Sequence, residues 1–328
     1  MARYNDLDPK YWKEYTDINT DSLWIIDKRD NSGVHSPDYH GNFVPQIPHQ
    51  LFTRYTKKGD WILDPFMGGG TSLIEAQRMG RNSIGIELQP DIARNSETLI
   101  NIEHNDNCIT KVITGDSRCY NINSLMEQFN IPAFQFVIMH PPYWDIIKFS
   151  DNINDLSNSH TLNEFLDSFG MVIDNTTKYL EKNRYCACVI GDKYANSQVI
   201  PLGFYCMNQF LERGFLLKAI LVKNFGETKG KSNQQGIWRY RAITNDFYIF
   251  KHEYIFIFKK VKCLFHFSSK TYHFSEIRST FLCYTYVFSM FCTFSLYIFS
   301  IQLFQMLYHY LQCQMLCIQL PQYLHFEY

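Results

Sequence analysis

The chain reads as an α/β protein built on a doubly wound, mostly parallel sheet, and three observations predict it. Short apolar runs alternate with helical patterns through most of the first 262 residues. A glycine-crowded turn, "DPFMGGGT" at 64–71, joins an expected strand to an expected helix. Polar residues close four successive apolar runs, at the strand ends where such sheets hold their ligands.

The elements follow in order. "WILD" (61–64) predicts a strand, 71–80 a helix, "SIGIE" (83–87) a second strand and 90–104 a second helix. Further strands are expected at "KVITGD" (111–116), "FVIMH" (136–140), "CACVIG" (186–191), "LLKAILV" (216–222) and "YIFIF" (254–258). Helices are expected at 162–182 and 202–213. Asp64, Glu87, Asp116 and His140 stand at successive strand ends, so they are expected to line one rim.

Composition bounds the function. The 328 residues carry 31 basic and 32 acidic side chains, so a nucleic-acid site here has to be a local patch. Ten cysteines occur without CxxC or zinc-ligand spacing, which points to reduced thiols in a cytoplasmic protein with no metal. The N-terminal stretch mixes both charge signs and has no apolar core of a secretory signal. Near Lys262 the composition changes abruptly. Residues 263–328 hold only Lys270, Glu276, Arg278 and Glu327 as charges and are rich in Phe, Tyr, Leu, Cys, Ser and Ile. These are residue types of T-rich codons, as translated AT-rich non-coding sequence gives. The apolar tail is therefore read as translated non-coding or out-of-frame sequence, with a packed appendage or a membrane anchor as the other readings; glutamines break up its second half, against a membrane role. The division is thus 1–262 as one catalytic domain and 263–328 as the appendage.

Glu87 narrows the ligand. An acidic side chain about twenty residues beyond a glycine turn, at the end of the next strand, can accept from ribose hydroxyls, although capping of the helix near Pro90 is the structural alternative. Gly68, Gly69 and Gly70 are contiguous, without the G-x-G-x-x-G spacing of dinucleotide sites or a P-loop lysine. A sulfonium nucleoside, which has no pyrophosphate to cradle, fits better.

"DPFMGGGT" with "IGIE" resembles motif I and the following acidic position of DNA amino-methyltransferases that act on adenine N6 or cytosine N4; "HPPYW" (140–144) resembles their motif IV. The segment "HGNFVPQIPHQLFTRYTKKGDWILDPF" (40–66) is similar to the stretch before motif I in such enzymes, and "KHEYIFIFKK" (251–260) to their closing strand. The resemblance spans roughly residues 20 to 262, with motif I (64–71) ahead of motif IV (140–143). It implies a Rossmann-like class I methyltransferase fold and S-adenosylmethionine as cofactor.

The resemblance also implies roles. Asp64 orients the methionine amino group, directly or through water, while Pro65, Phe66, Gly68, Gly70 and Thr71 form the turn around the cofactor; Phe66 has core packing as its alternative. Phe43 and Pro45 close over the methionine end, Glu87 holds ribose and Asp116 approaches the adenine amine. An exocyclic amine is a poor nucleophile because its lone pair is delocalised, so it has to be held in line with the methyl group. The carbonyl of Pro141 accepts one amine hydrogen, the side chain of residue 140 accepts the other, Pro142 stiffens the backbone, and the ring of Tyr143 stacks on the flipped-out base. His140 departs from the family pattern of Asp, Asn or Ser. A neutral imidazole still accepts through one nitrogen, but it leaves adenine and cytosine undecided.

Double-stranded DNA is the expected partner, with a restriction endonuclease as a possible cognate. Residues 223–243, taken as a loop, bring Lys223, Lys229, Lys231, Arg239 and Arg241 together with Trp238, suited to phosphates and to a wedge at the flipped base. Residues 144–161, rich in Asn, Asp and Ser, are the second expected reader of DNA. An RNA-base or protein-glutamine methyltransferase, and a catalytically silent DNA-binding module, are the alternative functions.

Overall fold

The computed structural model describes residues 4–35, 39, 41–225 and 235–261; the appendage at 263–328, Lys229 and Lys231 lie outside them. In chain order the elements are β1 (Leu23–Trp24), α1 (Gln46–Tyr55), β2 (Trp61–Asp64), α2 (Thr71–Arg78), β3 (Asn82–Glu87), α3 (Pro90–Ile102), β4 (Thr110–Thr114), α4 (Ile122–Gln128) and β5 (Phe134–Met139). There follow α5 (Leu162–Thr177), β6 (Leu180–Ile190), β7 (Lys193–Ala195), β8 (Gln198–Ile200), α6 (Leu202–Glu212), β9 (Leu216–Asn224), α7 (Gln235–Thr244) and β10 (His252–Lys259).

Eight strands form one sheet in the order β1-β9-β10-β6-β5-β2-β3-β4, and β7 pairs with β8 apart from it. Strands β6, β5, β2, β3 and β4 run parallel; β10 lies antiparallel to both β6 and β9. This is the doubly wound, mostly parallel sheet that the sequence predicts. Its apolar runs are continuous because both faces are covered. Along β6, Cys186, Cys188 and Ile190 face α5 and α6 with Phe165, Phe169 and Phe210, whereas Tyr185, Ala187 and Val189 face α1 with Ile47, Leu51 and Phe52. Each such phenylalanine, buried completely, contributes about 1.5–3 kcal/mol.

The strand order turns round between β2 and β5. From β2 the chain builds outwards through β3 and β4, and from β5 it builds the other way through β6. The glycine turn follows β2 and the His-Pro-Pro-Tyr run follows β5, so both motifs open onto the crevice at the switch point.

Several elements differ from expectation, and three of the differences have a readable cause or place. Helix α5 stops at Thr177 instead of 182, because Lys260 donates from Nζ to the carbonyls of Thr177 (2.8 Å), Lys178 (3.0 Å) and Leu180 (2.7 Å), satisfying the helix end and freeing β6 to begin. Residues 235–244 are a helix, not a loop; one glycine at its start does not outweigh the helix formers after it. Helix α1 lies in the segment before motif I, where no element had been assigned. Among the described residues no helix is long and apolar enough to cross a membrane.

Candidate active site

The glycine turn is shaped by the aspartate that opens it. Asp64 accepts from the backbone N–H of Phe66 (2.9 Å) and from the hydroxyl of Ser72, which reverses the chain from β2 into α2. Burial pushes its carboxyl up to about 7, against the pull of those two donors. Gly68 and Gly70 adopt the left-handed conformation, at φ 51° and 78°. A Cβ on Gly68 would stand 2.8 Å from the ring of Tyr39, so side-chain-free backbone is required for that close approach. The Gly68 N–H donates to Glu87 (3.0 Å), whose other oxygen accepts from Gln89 (2.9 Å); one carboxylate thus ties the end of β3 to both the turn and the start of α3. Burial also raises the Glu87 carboxyl.

These residues border a cavity of about 560 Å³, within the ~300–1,000 Å³ typical of small-molecule sites. Its wall includes Phe43, Pro65, Phe66, Gly68, Thr71, Glu87, Asp116, His140, Pro141, Pro142 and Tyr143. Asp64, Gly70 and Pro45 are not on that wall. Asp64 is 1% exposed and spends its oxygens on the turn; Gly70 and Pro45 serve as the N-caps of α2 and α1. Asp116 does line the cavity, but its carboxylate already accepts from the guanidinium of Arg118, at 2.7 Å from one nitrogen. Phe66 both lines the cavity and packs 6.2 Å from Phe169 in the core.

The opposite rim follows β5. His140 packs against Phe43, ring centroids 5.0 Å apart, and its Nε2 lies 3.4 Å from the hydroxyl of Tyr143. That hydroxyl donates to Glu253 (2.7 Å), and Lys223 donates from Nζ to the other oxygen of Glu253 (3.0 Å). Burial lowers the His140 imidazole to about 4, helped by Lys223 and opposed by Glu253, so the ring is neutral near neutral pH. The Tyr143 phenol is held well above its ordinary value by burial and by Glu253. Lys223 sits near the end of β9, 4% exposed and ion-paired, on a strand where a loop was expected.

Of the other expected DNA contacts, Trp238, Arg239 and Arg241 lie on α7, with the guanidinium of Arg241 5.5 Å from the centre of the Trp238 ring. The 144–161 segment divides. Phe149, Asp155 and Leu156 line the cavity, with Phe149 stacked 6.2 Å from Tyr39, whereas Ile153 is 91% exposed. Glu253 was missed by sequence reasoning. Its signal was a lone acidic residue within "HEYIFIF": β10 runs antiparallel, so its beginning lies at the end of the sheet where its parallel neighbours finish. Among the described residues no group of three or more His, Cys, Asp or Glu is placed to hold a metal ion.

Comparison with known proteins bears on the first of the two rims. Residues 2–98 match the DNA methylase family. The family resemblance read from the motifs is thereby borne out. The methylase match takes in the glycine turn and Glu87 and stops short of His140. A stretch of 115 residues is 32% identical to the type II methyltransferase M.MjaII of Methanocaldococcus jannaschii, covering 31% of this chain and 21% of that protein. Over 95 residues, 28% of this chain and 26% of the relative, it is 33% identical to the type II methyltransferase M.MthZI of Methanothermobacter thermautotrophicus. A probable tRNA (guanine(10)-N2)-dimethyltransferase of Methanothermococcus thermolithotrophicus is 31% identical over 105 residues, 31% of this chain and 62% of that protein. The chain thus spans about a fifth to a quarter of the two type II methyltransferases, and the matches take in 31% and 28% of its own length.

Proposed function

We propose that the protein transfers a methyl group from S-adenosylmethionine to the exocyclic amine of adenine (N6) or cytosine (N4) in double-stranded DNA, as a site-specific modification enzyme. A cognate restriction endonuclease is the partner this role suggests. The observation that carries the reading is the convergence of two motifs, one after β2 and one after β5, on a single cavity at the switch point of the sheet. The DNA methylase match of residues 2–98 supports it.

The cavity suits a cationic nucleoside. Glu87 places a carboxyl group on its wall, and Asp116 a second one paired with Arg118; the former opposes the charge of a diphosphate and suits a sulfonium. Glu87, with a lone pair left on each oxygen, is suited to ribose hydroxyls, and Gly68 and Phe43 to close backbone and ring contact with the methionine portion. When bound, S-adenosylmethionine supplies an electrophilic methyl group. Pro141 offers a carbonyl and His140 a neutral ring nitrogen to hold the two amine hydrogens and aim the nitrogen lone pair. The ring of Tyr143 provides a face for the extruded base. Arg239, Arg241 and Trp238 of α7, with Lys229 and Lys231 of the same segment, are suited to the DNA backbone and the vacated stack. Single-molecule sequencing of DNA from cells expressing the protein tests the proposal. A recurrent methylated motif on adenine or cytosine is expected; unmodified DNA alongside newly methylated RNA or protein would overturn it.

A further inference from the structure

The buried chain of polar groups behind motif IV has a direction. Glu253, as a carboxylate, only accepts, and it accepts from Lys223 at 3.0 Å and from the Tyr143 hydroxyl at 2.7 Å. The single phenolic hydrogen is thereby committed to Glu253. Toward His140 the Tyr143 oxygen has only lone pairs left, so the 3.4 Å contact requires His140 to donate from Nε2. A neutral imidazole with its hydrogen on Nε2 presents an acceptor at Nδ1, and among the described residues His140 makes no other hydrogen bond. The phenol ring has little room to turn away, since a Cβ on Gly191 would stand 2.9 Å from its Cε2.

We propose that Lys223 and Glu253 are positioning residues that, through the hydroxyl of Tyr143, fix His140 as the Nε2–H tautomer and leave Nδ1 to accept a hydrogen of the target amine. The inference rests on the amine methylation proposed above. It assigns a task to two residues that contribute nothing to motif IV in sequence, and it explains how a histidine serves where Asp, Asn or Ser needs no tautomer to be chosen. The groups that face His140 are the Phe43 ring from the segment before α1, Tyr143 beyond the proline pair, Glu253 from β10 and Lys223 from β9. Of these, Glu253 and Lys223 are the charged ones, and they are paired with each other. The long contact to Tyr143 is expected to shorten once a base packs against the ring.

The direction of the chain can be reversed with one isosteric change. In Glu253→Gln the amide oxygen remains with Lys223, which can only donate, so the amide NH2 faces Tyr143 and donates to its oxygen. The phenolic hydrogen then turns to Nε2 of His140, and the imidazole hydrogen moves to Nδ1. The acceptor for the amine is lost although charge aside nothing in the wall has changed shape.

The test is the 15N NMR spectrum of the full-length protein labelled in histidine, with the His140 signals identified by their disappearance in His140→Asn. At about pH 7 the wild type is expected to carry the hydrogen on Nε2, and Glu253→Gln to carry it on Nδ1. In parallel, kcat for methyl transfer is expected to fall about 10²-fold in Glu253→Gln, with the affinity for S-adenosylmethionine within about twofold. Lys223→Arg, which keeps the pairing charge, is expected to retain the Nε2 hydrogen. An Nδ1 hydrogen in the wild type overturns the inference, and that result needs no change at Glu253 or Lys223. So does a Glu253→Gln protein that keeps the wild-type tautomer while losing activity, because the pair would then be merely structural. A wild type with the expected tautomer that methylates no base amine contradicts the functional proposal instead and leaves the tautomer assignment standing.

Discussion

The two rims of the cavity are held by different means. The rim after β2 is a local construction: Asp64 reaches Phe66 and Ser72, and Gly68 reaches Glu87 at the end of the adjacent strand. The rim after β5 is held from far along the chain, since Tyr143 is anchored by Glu253, 110 residues away, and Glu253 by Lys223. Their electrostatics differ as well. Carboxyl groups with raised pKa values populate the first rim, and a neutral histidine backed by a buried ion pair occupies the second. On the proposed function, a binding site for a cationic ligand is written in two adjacent strands and the turn between β2 and α2, whereas the orientation of a single amine acceptor draws on three strands.

Damage to the two rims should therefore separate cleanly. The largest effect is expected from His140→Ala, which removes the side-chain acceptor: methyl transfer falls about 10³-fold while S-adenosylmethionine still binds, measured by turnover and by calorimetric titration. Full activity in this variant would return His140 to a structural place at a strand end. Next comes Tyr143→Phe. Ring stacking alone predicts near-normal transfer, but the bond to a carboxylate is worth about 1.5–3 kcal/mol, so kcat is expected to fall tenfold or somewhat more, with little change in cofactor affinity.

The reverse pattern is expected on the other rim. In Gly68→Ala a Cβ meets the ring of Tyr39 at a positive φ, a strain of about 1–2 kcal/mol, or roughly tenfold in cofactor affinity. At saturating S-adenosylmethionine its kcat should recover; a kcat loss that saturation leaves untouched would show that the rims do not act separately.

Acidity sharpens the contrast further. Only the neutral imidazole accepts, and burial lowers His140 from 6.5 to about 4, so methyl transfer should persist through pH 5 and be lost as pH falls through about 4. His140→Asn is expected to remove that acid limb from the rate profile. The same group affects stability. Between about 6.5 and 4 the unfolded chain takes up a proton that the folded chain does not, so this contribution to stability falls as pH falls through that window. The smallest effect is expected outside the cavity, where Arg239→Ala weakens DNA binding evenly across sequences and reduces the slope of log affinity against log salt by about 1.

Much of this division was legible in the sequence, for a physical reason. The strand and helix pattern from 61 to 139, the glycine turn, and the rim formed by Glu87, Asp116 and His140 depend on short-range periodicity and on one rule of parallel sheets. The inward turn of Asp64 was not legible, because a strand-end aspartate can face its own turn or the ligand, and the choice depends on the hydroxyl of Ser72 eight residues on. Nor was Lys223. Its neighbours in sequence are the basic residues of the 223–243 segment, yet β9 ends beyond it and carries it into the sheet beside Glu253. Helix α5 was overrun for a similar reason: the lysine that ends it belongs to a segment 80 residues later.

The atom that receives the methyl group decides between amine methylation and every alternative. Purified protein, S-adenosylmethionine and double-stranded DNA, followed by digestion to nucleosides and mass spectrometry, measure this directly. The expected product is N6-methyladenine or N4-methylcytosine, absent when His140 is replaced by alanine. Methylation at the C5 carbon of cytosine, or methyl recovered only on RNA or on protein, would contradict it.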